Sequence, residues 1–256
     1  MTVLVLALIF LVTSAGSAES LALSPAGEAG AATSISQPQE LSQSQKLIAS
    51  LTKYYVGVLR KGPKWSTESP AALEDAMLKR QEALRSLAKQ GKIVGTARMV
   101  DVKEVWALIF FKTDNETEVR ELAANAKLIQ EGVLDFAAYK VWGTKGLGAG
   151  LGKESGRDTL YLVVAVKGDK WSGKTDETTR SMMDSQTDYL VKLHTSGALR
   201  FSCTMESDVE FARGLLIVAA ASEGDAYRMI SSSPMVKAKW LEPSVYRVIV
   251  PHGTLP

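Results

Sequence analysis

Lys61-Gly62-Pro63-Lys64-Trp65-Ser66 returns as Lys167-Gly168-Asp169-Lys170-Trp171-Ser172, 106 positions later (167 less 61). Only Pro63 and Asp169 differ. An apolar, β-rich run precedes each copy: Tyr54-Tyr55-Val56-Gly57-Val58-Leu59, then Leu160-Tyr161-Leu162-Val163-Val164-Ala165-Val166. A helix-like stretch follows each. Self-similarity at one offset predicts a unit of about 95 residues written twice.

Working outward from the first copy, residues 53–60 predict a strand that is apolar on both faces, which needs cover above and below. Ser69-Pro70 starts a helix. Leu73, Met77, Leu84 and Leu87 recur at helical spacing until Gly91 stops it. Strands are expected at 93–100 and 105–112. Thr113-Asp114-Asn115-Glu116 reads as a capping box, ahead of a second helix buried through Val119, Leu122, Ala126 and Ile129. Gly132 ends that helix, and 133–142 is the closing strand. The second copy repeats the order: strand 158–167, helix 175–196, strands 198–206 and 209–219, a helix opening at Ser222 and interrupted by Pro234, and strand 240–250. The fold class is therefore α+β. Two tandem β-α-β-β-α-β units of the ferredoxin-like kind are expected.

The flanks divide the rest. Residues 1–18 read as a secretory signal: ten apolar residues from Val3 to Val12, then small residues from Ser14 to Ala18. That run is too short to span a bilayer, and no cysteine follows it to carry a lipid. The expected location is secreted or periplasmic. Residues 19–46, rich in Ser, Ala, Gln, Gly and Pro, predict a disordered tether. The units then occupy 47–142 and 158–256. The six glycines of 143–157 predict a flexible linker; their spacing fits neither a Walker A loop nor a dinucleotide fingerprint.

Composition excludes several chemistries. Across 256 residues, 30 Lys and Arg against 28 Asp and Glu leave a net charge of +2. That balance gives no argument for nucleic acid, or for a membrane once the signal is cleaved. Cys203 is the sole cysteine, so no internal disulfide forms. Histidine occurs only at 194 and 252, which argues against a His-rich metal site. No catalytic residue, metal or cofactor is assigned.

The apolar strand running into Lys61 to Ser66, the helix end Leu84-x-x-Leu87-x-x-x-Gly91, and Gly132 ahead of a strand closing on Trp142 resemble the YCII-related family. In the second copy the matching residues are Lys167 to Ser172, Leu190, Leu193 and Gly197. The resemblance implies a dimeric α+β barrel, its two sheets face to face, here within one chain. It also implies an acid–base pair: a His in the first helix, eleven positions before its terminal Gly, and an Asp-Pro later. Those positions hold Arg80 and Gln186, and Ala126-Lys127 and Ser233-Pro234. Neither Arg nor Gln titrates usefully near neutrality, so the family's proton transfer has no agent here.

What remains suggests binding. Arg80 lies on the stripe Leu73, Met77, Leu84, Leu87, and Gln186 on the stripe Met183, Leu190, Leu193. Both are expected to line a cavity between the sheets. Lys61, Lys64 and Trp65, with Lys167, Lys170 and Trp171, are further candidate ligand contacts. The expected function is a non-catalytic module for a small aromatic or anionic molecule. The alternatives are a lyase, isomerase or hydrolase with a reworked site, and a structural or interaction domain whose barrel is filled. Further self-association stays open.

Overall fold

The computed structural model describes residues 49–65, 84, 86–100, 104–151, 156–173, 176–207 and 212–256. The signal, the tether, most of the first helix and Arg80 lie outside the described residues. Alternation along β1 (Leu51–Lys61) divides its side chains between two environments. Tyr54, Val56 and Val58 join one buried cluster. Tyr55 and Leu59 join another.

Seven further strands complete the sheet: β2 (Ile93–Met99), β3 (Val105–Phe111), β4 (Leu134–Thr144), β5 (Arg157–Lys167), β6 (Leu199–Met205), β7 (Gly214–Val218) and β8 (Leu241–Pro251). They close into an antiparallel barrel in the order β1-β3-β2-β8-β5-β7-β6-β4. Each half contributes four consecutive strands in one spatial order, its fourth beside its first. The halves meet at two seams, where the fourth strand of one pairs with the second of the other: Val141 with Met205, and Arg98 with Ile249. Closure leaves no open edge to template pairing with another chain.

The helices pack outside. Those described in full are α1 (Glu116–Ala124), α2 (Lys127–Gln130), α3 (Glu177–Thr195), α4 (Glu223–Ser231) and α5 (Pro234–Lys237). None of the described helices is long and apolar enough to cross a membrane. The N-cap sits two residues beyond the expected Thr113, and no reciprocal capping box forms: Asn115 caps α1, accepting from the backbone N–H groups of Thr117 and Glu118. Thr113 instead donates its hydroxyl to Glu118 at 3.0 Å. The single helix expected through Ile129 breaks at Asn125 into α1 and α2, as Pro234 separates α5 from α4.

The cleft expected between the sheets is corrected by the packing. That space is the barrel interior, and large side chains from both halves fill it: Tyr54, Phe110, Phe201, Leu108, Leu162 and Leu215, each at most 2% exposed. Phe201 meets Phe110 edge to face at 5.4 Å and Tyr54 at 6.4 Å. Each such side chain contributes roughly 1.5–3 kcal/mol by leaving water. A barrel of eight strands is just wide enough for its own side chains to fill. Residues 143–151 of the glycine-rich segment also pack against the barrel rather than running free. Leu147 is buried in that same core, and Gly148 and Gly150 donate to the carbonyls of Thr254 and Gly253 at 2.8 and 3.1 Å.

The repeated turn proves to be a backbone clasp. Gly62 donates to Val133 O at 2.8 Å and Lys64 to Gly132 O at 3.1 Å. In the second half Gly168 donates to Trp240 O and Lys170 to Lys239 O, both at 2.9 Å. A Cβ on Gly62 would stand 2.3 Å from Gly132 O, and one on Gly168 2.4 Å from Lys239 O. Only glycine lets the two backbones approach so closely.

Candidate functional site

Two cavities lie between the helices and the outer face of the barrel, one in each half. They occupy equivalent places. Gly57 pairs with Ile109 and Val163 with Leu216, and those two partners line the respective cavities. Leu84 and Leu190 supply the corresponding helix contacts.

The second-half cavity, of about 160 Å³, is the more functionalised. Its roof is α3. Asp176 caps that helix, accepting from the backbone N–H and the hydroxyl of Thr179, both at 2.8 Å. Lys192 sits in the last turn, where a cation offsets the helix dipole. Gly197, at φ 74°, ends it. So anchored, α3 aims Met183, Gln186, Thr187 and Leu190 at the sheet. The floor is Ser202 and Thr204 of β6 with Leu216 of β7. Trp142 and Leu51 enter from the first half across the β4–β6 seam, so the site belongs to both halves.

Polar groups converge on this apolar space. Gln186 Oε1 accepts the backbone N–H of Met235 at 3.2 Å, which ties α3 to α5 beside Ser233 and Pro234. Gln186 and the Ser233-Pro234 pair are thus neighbours here, and none of the three side chains titrates near neutrality. Arg213, 7% exposed, sets its guanidinium over the Trp171 ring at 5.1 Å. Trp171 in turn meets Trp240 edge to face at 6.4 Å. On the far side, Trp142 donates its indole N–H to Glu206 at 3.3 Å, and Lys53 lies over its ring at 5.0 Å. Burial pushes the Cys203 thiol up to about 12. It stays protonated and is no nucleophile at neutral pH. The described lining thus combines one cation, one amide and three hydroxyls, of which Gln186, Thr187 and Thr204 are engaged with backbone groups of Met235, Met183 and Arg213.

Of the candidates read from the sequence, the structure brings Gln186 and Trp171 together in this cavity. Lys61, Lys64, Lys167 and Lys170 are all exposed and outside the described lining of both cavities. Lys61 lies over Trp65 at 5.3 Å, and Trp65 packs at the edge of the first-half core. Arg80 lies outside the described residues. His194 places Nδ1 3.3 Å from Leu199 O. Arg213 and Trp142 were not anticipated. Arg213 could have been: it is a cation inside the otherwise apolar run 211–219.

No protein-family model and no curated protein matches the chain. Solved structures do. Chlorite dismutase from Candidatus Nitrospira defluvii, in complex with imidazole, superposes with a TM-score of 0.52 at 11% identity, covering 81% of this chain and 95% of that one. A variant of the same enzyme gives 0.53 at 10% identity, covering 83% and 96%. A heme-binding protein from Thermus thermophilus gives 0.45 at 13%, covering 78% and 91%. The first two likenesses define the class: an α+β protein with the chlorite dismutase-like fold, built on an eight-stranded antiparallel barrel.

Proposed function

We propose that this chain is a secreted, non-catalytic protein that binds a small aromatic carboxylate in the second-half cavity. One observation carries the reading: an apolar cavity of about 160 Å³ with the buried Arg213 guanidinium and the Trp171 ring in its wall. An apolar cavity of roughly 150 Å³ is enough for a benzene ring. A guanidinium in low-dielectric surroundings is the residue suited to a carboxylate. The secreted location rests on residues 1–18 alone.

The architecture behind this reading is a duplication of a ferredoxin-like unit, of the kind the YCII-related family uses. Its support is the shared strand order of the halves and the matched clasp at Gly62 and Gly168. Ligand binding has moved from between the sheets to between helix and sheet, because the inner space is filled.

Haem does not fit these residues. The cavity is too small for a macrocycle. His194 and His252 are outside its described lining, and Cys203 is held as a thiol. Among the described residues of this lining there is no histidine or thiolate to serve as an axial ligand.

A second reading, a structural or interaction domain, is favoured by the filled barrel. Thermal shift separates the two. Benzoate in large excess is expected to raise the Tm of wild type, since a ligand that binds only the folded state stabilises by mass action. Arg213→Met should lose that response. Stabilisation by none of benzoate, phenylacetate or toluene favours the structural reading.

A further inference from the structure

A carboxylate beside Arg213 leaves part of the second-half cavity's polar chemistry unused. Three hydroxyls line that space. Thr187 donates its proton to Met183 O at 2.8 Å, and Thr204 donates to Arg213 O at 3.3 Å. Both protons are committed to the protein's own backbone. The Ser202 hydroxyl is half-buried in the same lining and has no partner among the described residues. The Gln186 amide is half engaged. A backbone N–H can only donate, so the 3.2 Å contact from Met235 turns Oε1 to that side. Nε2 remains, with two protons to give.

Strand register places Ser202 away from the cation. Thr204 pairs with Gly214, next to Arg213, and Met205 donates its backbone N–H to Arg213 O at 3.0 Å. Ser202 pairs with Leu216, further along the same strands. Ser202 and Thr204 are two residues apart, so they share the outer face of β6 at a spacing of roughly 7 Å. A benzene ring with substituents on opposite sides spans an interval of that order. With a carboxylate at the Arg213 end, the opposite substituent arrives at Ser202. An apolar group there leaves the serine proton unpaired, and a site built around a hydroxyl discriminates against such a ligand. A phenolic hydroxyl both donates and accepts, so it suits the serine of the floor and the amide of the roof.

We propose, resting on the carboxylate seat beside Arg213, that Ser202 sets the specificity of this site and that its ligand is a hydroxylated aromatic carboxylate, the hydroxyl across the ring from the carboxylate. A hydroxyl on the adjacent ring carbon lies against the carboxylate and does not reach Ser202.

Titration of the methyl-labelled chain with benzoate, 4-hydroxybenzoate and 2-hydroxybenzoate tests this, read at the Leu216 methyls opposite Ser202. In wild type, 4-hydroxybenzoate is expected to bind about fivefold tighter than benzoate, the usual worth of one hydrogen bond. Ser202→Ala should abolish that ratio, and Ser202→Thr, which keeps a hydroxyl, should retain most of it. Ser202→Val makes the same comparison with Ser202→Thr if the alanine variant does not fold. The affinity for 2-hydroxybenzoate relative to benzoate should be the same in wild type and Ser202→Ala. Equal affinities for benzoate and 4-hydroxybenzoate in wild type overturn the proposal while leaving the carboxylate seat standing. So does a preference that persists in a folded variant lacking the hydroxyl. If neither ligand shifts Leu216 saturably, the carboxylate seat fails and this specificity fails with it.

Discussion

Gln186 caps a helix to which it does not belong. Its side-chain oxygen accepts the backbone N–H of Met235 at 3.2 Å, in the first turn of α5. Ser233, the N-cap residue of that helix, makes no capping hydrogen bond with its own side chain. First-turn N–H groups need an outside acceptor, and this one comes from α3. The contact fixes the roof of the second-half cavity relative to its rim.

Gln186→Leu should therefore destabilise the protein by about 1 kcal/mol, the usual magnitude for a lost hydrogen bond that leaves a buried donor behind. Gln186→Glu keeps an acceptor and should recover most of that. Urea unfolding at neutral pH measures both.

The clasp makes a sharper prediction. Gly62→Ala and Gly168→Ala each place a Cβ against a backbone carbonyl at 2.3 and 2.4 Å, so the chain must move. Each should cost about 2 kcal/mol or more. The second half also holds Lys239 at φ 61°, where the first half has Gly132 at 74°. Lys239→Gly should stabilise by about 1 kcal/mol by removing the left-handed penalty. Thermal melts of the three variants check sign and order.

Cys203 sets a pH limit. Burial raises its thiol from 9.0 to about 12. The unfolded chain releases that proton first, so between those values the folded state binds more protons and stability falls as pH rises. The contribution is fully present below pH 9 and is lost towards 12. Cys203→Ala should flatten that part of the profile, measured by urea midpoints from about pH 8 upward. Native protein at about pH 8 should also resist thiol alkylation until it is unfolded.

The strands were legible because β-rich apolar runs bounded by Gly and charged turns leave little choice; β1 and β5 each differ from expectation by at most two residues at an end. The doubly apolar character of residues 54–59 correctly demanded cover on both faces. It could not say which cover would be complete. Tyr54, Phe110 and Phe201 fill the inner side, while the helices leave gaps on the outer one. Such gaps depend on side-chain shapes that spacing does not record. The lysines of the repeated turn drew attention as a cluster, yet the repeat exists for its glycine. Arg213 left a signal, a cation inside an apolar run, that spacing alone does not turn into a site, and Trp142 left none because it reaches the site across a seam between halves.

The proposed seat of a small aromatic carboxylate is the space between α3 and the outer face of the barrel beside Arg213. Titration of the labelled wild-type chain with benzoate, read at the Trp171 indole N–H and the Leu216 methyls, tests it most directly. Saturable shifts are expected at both, absent in Arg213→Met. Unmoved Trp171 and Leu216 signals in wild type, at benzoate concentrations where Arg213→Met behaves identically, would contradict it.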